Sequence, residues 1–385
     1  MIKRVILLVI DGCGVGALSD AADYGDAEAN TLVHLAESVG GLSLPNFEML
    51  GLGQIVPIKG VRVMGQPNGC FGRVAFTSAG KDSVVGYWEM SGVVQHEGAA
   101  ICRSGVPTSI VDIIEQVFGR KSIGREVALM GAMLRRHGVE HMATGAPILW
   151  TDGGNTCFLA MHESIMAVSE FHHRCREVRK TAKEAGMLLR IVAQPVTGGH
   201  DQLRPHVGRK DCVNEPSGVT MFDLLNRSGQ IAMGVGKVYD LFNGRGLTKA
   251  FPTASGMASL DEVIGMLNKV PRGLICASVD LWSEETTQMA TALQEFDRRL
   301  PELFEKLRPG DMVIVTGDHG RDSSLPGKTS TREHVPLCVT GPKLAQGVDL
   351  GTRVTAADVG QTIAEALGAD RVLDGESFLD ALKSG

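Results

Sequence analysis

Nothing in the 385-residue sequence approaches the ~20 consecutive apolar residues that a bilayer-spanning helix needs, so no membrane-spanning helix is expected. The apolar run near the N-terminus, Val5 to Ile10, is short and stops at Asp11. No small-residue cleavage site follows it, which excludes a secretory signal. Cysteine pairs are missing too. The eight cysteines (13, 70, 102, 157, 175, 212, 276 and 338) include no Cys-x-x-Cys spacing, and several sit in apolar runs, such as Cys276 in GLICASV and Cys338 in VPLCVTG. That distribution reads as buried free thiols in a reducing compartment, and a cytoplasmic location is expected. Neither sign of charge dominates: the formal net charge is -6, spread along the chain. A protein that coats nucleic acid is thereby excluded, whereas a phosphate-bearing ligand is not, since local basic residues decide that. Internal repeats and low-complexity tracts are absent.

What is present fits a soluble α/β protein. Hydrophobic residues make up 43% and charged residues 21% of the chain, and the length suits two domains better than one. Three segments read as strands buried on both faces, with no polar alternation: Val5 to Ile10, Leu274 to Val279, and Met312 to Thr316. Asp11 follows the first, Asp280 the second, and Gly317-Asp318-His319 the third. In open α/β sheets the carboxyl ends of the strands are where ligands bind. Helical periodicity appears over Thr287 to Leu307, before Pro309-Gly310, and over Ala356 to Leu367, before Gly368. The middle differs. Helical stretches at Ser109 to Phe118 and Ser164 to Gly186 alternate with the short strand candidates PILWT and LLRIVAQPV. Because the pattern of a strand followed by an acid resumes only afterwards, residues 96–219 are expected to be an inserted α/β cap domain, with 1–95 and 220–385 forming the core.

Asp11, Asp318 and His319 have the composition of a divalent-metal site, and His334 in TREHVP is a further candidate ligand. Singly each has an ordinary structural reading: a strand-end Asp often caps a helix, and a lone His is more often structural. DGCGVG at 11–16 is not a dinucleotide fingerprint, since it lacks the GxGxxG register and its Asp would repel a phosphate. Ser83, in GKDSVVGYWE, reads equally well as a helix cap and as a nucleophile.

These segments in this order, together with EHMATGAPILWT, RKD at 209–211, GVGKVYDLFNGRG, and the run from EFDRRL through TGDHGRD to TREHVP, resemble the phosphopentomutases of the alkaline phosphatase superfamily almost end to end. The resemblance implies an alkaline phosphatase-like core with a central, mostly parallel sheet. It implies interconversion of pentose 1-phosphate and pentose 5-phosphate through a phosphorylated enzyme, with Ser83 in place of the family's usual Thr. Lys81 and Asp82 flank that residue as further catalytic candidates. Two manganese-type ions, with zinc or magnesium as alternatives, would clamp the transferred group. Asp11, Asp318, His319 and Ser83 match one ligand set, and His334 is matched to the other. Arg209, Lys237 and Tyr87 match segments that contact the phosphate or the sugar, although Arg209 and Lys237 read equally well as solvated loop charges.

The departures are specific. The positions of a ligand Asp and a ligand His in the second set hold Trp282 and Thr287, and only Asp280, Glu284 or Glu285 stand close enough in sequence to replace them. One tight ion, a weak, rebuilt or empty second site, and low pentomutase activity are therefore expected. Gln194 replaces an Arg before Pro195, Tyr87 replaces a His, and DGGNT after PILWT does not match. A related phosphatase or phosphonate-handling enzyme, and a non-catalytic sugar-phosphate binder, remain alternatives.

Overall fold

The computed structural model of the chain describes residues 2–96, 102, 104–185, 190–199, 202–283, 285–325 and 330–383. Its strands, in chain order, are β1 (Arg4–Ile10), β2 (Cys70–Val74), β3 (Ile123–Val127), β4 (Ile148–Thr151), β5 (Thr156–His162), β6 (Arg190–Thr197), β7 (Arg204–Pro205), β8 (Lys210–Cys212), β9 (Ala232–Val235), β10 (Lys249–Phe251), β11 (Gly273–Val279), β12 (Asp311–Gly317), β13 (Val335–Thr340) and β14 (Asp349–Arg353). The larger sheet has the order β10-β9-β11-β1-β12-β13-β2-β14. Strand β13 runs antiparallel to β12 and β2, and the other pairs are parallel. Strands β3 to β8 make a separate six-stranded sheet, so every strand of the smaller sheet lies inside the 96–219 segment.

The three strands read as doubly buried are neighbours, β11-β1-β12. Along β1, Val5, Leu7 and Val9 enter one core while Ile6, Leu8 and Ile10 enter another on the opposite face. Strand β12 divides in the same way, with Met312 and Ile314 on one side and Val313 and Val315 on the other. A strand that is apolar on both faces is stable only where helices cover both faces of the sheet. The expected helices appear at Thr286–Phe304, Ala357–Ala366, Thr108–Phe118 and Val168–Glu184. The last starts later than the periodicity suggested, because the Ile165 and Met166 amides bond back to the His162 carbonyl at 2.9 and 3.1 Å and make a turn first. PILWT supplies β4, and the end of LLRIVAQPV supplies β6. Among the described residues no helix is long and apolar enough to cross a membrane.

One charge is sealed inside the larger sheet. Arg4, fully buried at the start of β1, donates to both carboxylate oxygens of Asp311 at 3.1 and 2.5 Å and to the carbonyls of Leu267 and Val270 at 2.5 and 2.7 Å. It ties β1 to β12 at the end of the sheet opposite the acidic residues. Removing one member of such a pair leaves an uncompensated buried charge. Asp311→Ala should therefore destabilise the chain by about 3–5 kcal/mol, read as a lower urea midpoint. An unchanged midpoint would show that Arg4 finds other partners.

Candidate active site

The register of three strands assembles the site. Ile10 pairs with Val279 of β11 and with Gly317 of β12, so the next residues, Asp11, Asp280 and Asp318, emerge together at one sheet edge. Ligand atoms of Asp11, Asp318 and His319 lie within 4.8 Å of one another, the only such His/Cys/Asp/Glu group among the described residues. The Gly12 amide donates to Asp318 Oδ1 at 3.1 Å. His319 Nδ1 donates to the Gly320 carbonyl at 2.8 Å, which leaves Nε2, 3.2 Å from Ser83 Oγ, with its lone pair directed at the site.

Ser83 is the first residue of a helix, Ser83–Met90, and Asp82 is its cap: Asp82 Oδ1 accepts from the Val84 and Val85 amides at 2.7 and 3.2 Å. The hydroxyl of Ser83 is therefore free of capping duty and buried beside His319. Because Asp82 already satisfies the first-turn amides, it has a helix-capping role, and positive charge beside Ser83 has to come from elsewhere. Lys81 does not supply it, since its ammonium is held by Asp26 at 2.9 and 2.7 Å.

Lys237 does. Strand β9 ends at Val235, Gly236 turns the chain with φ 73°, and Lys237 follows. Its buried ammonium pairs with Asp11, donates to Ser83 Oγ at 2.8 Å, and lies 3.4 Å from Asp318 Oδ2. Burial alone would push the Asp11 carboxyl up, but Lys237, His319 and Arg321 outweigh it and hold it far below the usual carboxylate range. Burial likewise works against the Lys237 charge, and Asp11 and Asp318 overcome it, so the ammonium holds its proton more tightly than a free lysine. Lys237 is thus buried against Asp11, Ser83 and Asp318 rather than a solvated loop charge. Tyr87 is buried, and its ring lies 5.9 Å from Lys237 Nζ; it supports the lysine and does not line the cavity described next.

Above Ser83 opens a cavity of about 470 Å³. The larger sheet contributes Asp11, Asp280, Trp282 and Arg321, and the smaller one Trp150, Asp152, Phe158 and Arg190. A second cavity, of about 300 Å³, holds Lys237, His206 and Asp211, and shares Arg209, Gln194 and Asp280 with the first. Arg209, half-exposed, reaches Asp211 at 3.6 Å. Arg190, with Nε 2.8 Å from Asp211 Oδ1, was not anticipated. It stands four residues before Gln194 on β6, hence on the same face, where it supplies the guanidinium that Gln194 lacks. The period of two along LLRIVAQPV was the available signal. Arg321, three residues past Asp318, was missed for want of any local signal beyond that proximity.

His334, matched to the other ligand set, lies outside the Asp11–Asp318–His319 group; its amide and Nδ1 both face the Gly16 carbonyl, at 2.8 and 3.3 Å. Its neighbours in TREHVP are scaffolding. Arg332 donates to the carbonyls of Phe76, Ser78 and Gly80, fixing the loop before Ser83. Glu333 accepts from the Gly16 and Thr31 amides, fixing the loop after Asp11. Of the proposed substitute ligands, Asp280 faces the cavity, Glu285 accepts from Gln288 Nε2 at 2.6 Å, and Glu284 lies outside the described residues.

The chain is similar to several known proteins. Residues 218–371 match the sequence model of the Metalloenzyme superfamily. The phosphopentomutase of Alkaliphilus metalliredigens is 35% identical over 384 residues, 98% of each chain. That of Carboxydothermus hydrogenoformans is 37% identical over 382 residues, again 98% of each. Among solved structures, Leishmania mexicana phosphoglycerate mutase aligns over 98% of this chain and 97% of its own, at 14% identity and a TM-score of 0.48.

The tightest contact in the site involves a glycine. A Cβ on Gly86, one turn after Ser83, would stand 2.0 Å from the Asp318 carbonyl oxygen. Gly86→Ala should force the helix to retreat by about an ångström and slow any Ser83 chemistry roughly 100-fold, with a stability loss of about 1–3 kcal/mol. Turnover at the wild-type rate would mean that the helix position is not critical.

Proposed function

Because the chain belongs to the phosphopentomutase family, we propose that it interconverts pentose 1-phosphate and pentose 5-phosphate through phospho-Ser83. The observation that carries the reading is the setting of the Ser83 hydroxyl: relieved of capping by Asp82, 2.8 Å from Lys237 Nζ and 3.2 Å from His319 Nε2, and open to a cavity that reaches the smaller sheet.

The donor set fits a divalent ion. Two carboxylates and one imidazole nitrogen suit manganese, zinc or magnesium, and the Lys237 ammonium already binds among the same oxygens as a cation would. Asp11, Asp318 and His319, with Ser83 beside them, would hold the ion, which when bound supplies charge stabilisation to the phosphoryl oxygens. The chain's own groups account for the rest. Lys237 steadies the negative charge on Ser83 Oγ. A hydroxyl of the sugar phosphate attacks phosphorus, the P–Oγ bond breaks, and the sugar proton passes to solvent or a neighbouring base. The bisphosphate that results turns over, Ser83 Oγ attacks its other phosphoryl group, and the isomeric monophosphate leaves. Arg190 and Arg209 are placed to receive the phosphate that is not reacting. The 96–219 segment acts as a cap, because the cavity takes its walls from both sheets; closure excludes water and favours transfer over hydrolysis. The eight free, buried cysteines agree with the cytoplasm.

Incubation with a pentose 1,5-bisphosphate and Mn²⁺ should yield a phosphopeptide containing Ser83, with transfer faster than release of inorganic phosphate. Ser83→Ala should form none and lose turnover while keeping its fold. Normal turnover by the alanine variant would end the phosphoserine reading, and phosphate release outpacing transfer would favour a phosphatase.

The ligand count also sets the metal stoichiometry. Elemental analysis should find about one tightly held ion per chain, and chelation should abolish Ser83 phosphorylation. Two tight ions would mean that residues such as Asp280 complete a second site.

A further inference from the structure

Arg321 has no role in that reading, yet it lines the cavity onto which Ser83 opens. Its backbone amide is pinned by Thr31 Oγ1 at 2.8 Å. Its Cβ packs where a side chain on Gly12 would stand, 2.6 Å from a Cβ built there. Its guanidinium lies flat on Trp282, with Cζ 3.6 Å from the ring centroid. Nε is buried and without a hydrogen-bond partner among the described residues. Three carboxylates, Asp11, Asp280 and Asp152, act on its charge, while Asp11 is already paired with Lys237. The guanidinium and Ser83 line the same cavity.

We infer that Arg321, mounted over Trp282, is a built-in second cation that grips the phosphoryl group on Ser83. A planar guanidinium suits phosphate oxygens, which it can engage two at a time. Trp282 occupies a position where a metal ligand was expected, so the residue that removes one cation is the platform for another. A purely structural Arg321 would only offset the nearby acids. This inference rests on the phosphoryl-transfer reading.

Mn²⁺-loaded wild-type protein, R321A, R321M and R321K are compared by ion content, by calorimetric affinity for inorganic phosphate, and by the rate of Ser83 phosphorylation from a pentose 1,5-bisphosphate. R321M keeps the apolar stem on Trp282, so a neutral variant remains even if R321A fails to fold. The neutral variants should keep one ion, bind phosphate about 10-fold or more weakly, and phosphorylate Ser83 roughly 10²–10³-fold more slowly. R321K should recover part of the loss, and millimolar guanidinium should partly rescue R321A. Neutral variants that match wild type in both phosphate affinity and phosphorylation rate would overturn the inference, as would two ions in the wild type. A wild type that binds phosphate through Arg321 but never phosphorylates Ser83 would support the anion grip and overturn the mutase reading, so the two failures are distinct.

Discussion

The parallel register of β1 with β11 and β12 is the constraint on which the molecule depends. Three strands that are apolar on both faces must lie side by side in the middle of a covered sheet, and pairing Ile10 with both Val279 and Gly317 brings their ends level. Neighbouring strands are only ~4.8 Å apart, so the acids that follow, Asp11, Asp280 and Asp318, are forced into one small volume. Packing thus creates a concentration of negative charge that nothing in the sheet itself relieves.

The rest of the site can be understood as relief of that charge. Lys237 arrives over the Gly236 turn at the end of β9, the strand beyond β11. Arg321 arrives past the end of β12, beneath Gly12, where any side chain would collide with it. A metal bound by Asp11, Asp318 and His319 would add the remaining positive charge. The balance shows in the carboxyls themselves. Asp11, with Lys237, His319 and Arg321 around it, is driven well below the ordinary range in spite of its burial. Asp280, burdened by burial and by the charge of Asp11, is pushed up instead. The same crowding thus shifts two neighbouring carboxyls in opposite directions.

What the sequence made legible follows from how local each signal is. An uninterrupted apolar run ending in an acid identifies a central strand without help from distant residues, and all three such strands were placed. The inserted sheet could be outlined because the pattern lapses over 96–219 and then returns. The cap before Ser83–Met90 could not be settled locally, since a hydroxyl and a carboxylate both cap helices; the bonds from the Val84 and Val85 amides show that it is Asp82 and not Ser83. The spacing of His334 from His319 says nothing about direction. The chain there alternates, with Glu333 turned into the buried loop contacts while His334 faces Gly16. Arg190 and Arg321 went unnoticed because a lone arginine in a loop or at a strand end reads as solvated until tertiary contacts show what it faces.

On the reading that Arg321 stands in for a bound ion, the exchange has consequences that reach beyond charge. An ion site depends on the metal supply and on ligands that must be deprotonated, whereas an arginine keeps its charge at any physiological pH. The ion draws electron density from the oxygens it binds, which a guanidinium does not, but phosphoryl transfer depends mainly on positioning and electrostatic stabilisation rather than on covalent help from the enzyme. A guanidinium also needs a rigid mount, because a flexible cation would have to be ordered anew in each transition state. Trp282 below, Thr31 at the backbone and Gly12 above provide that mount for Arg321.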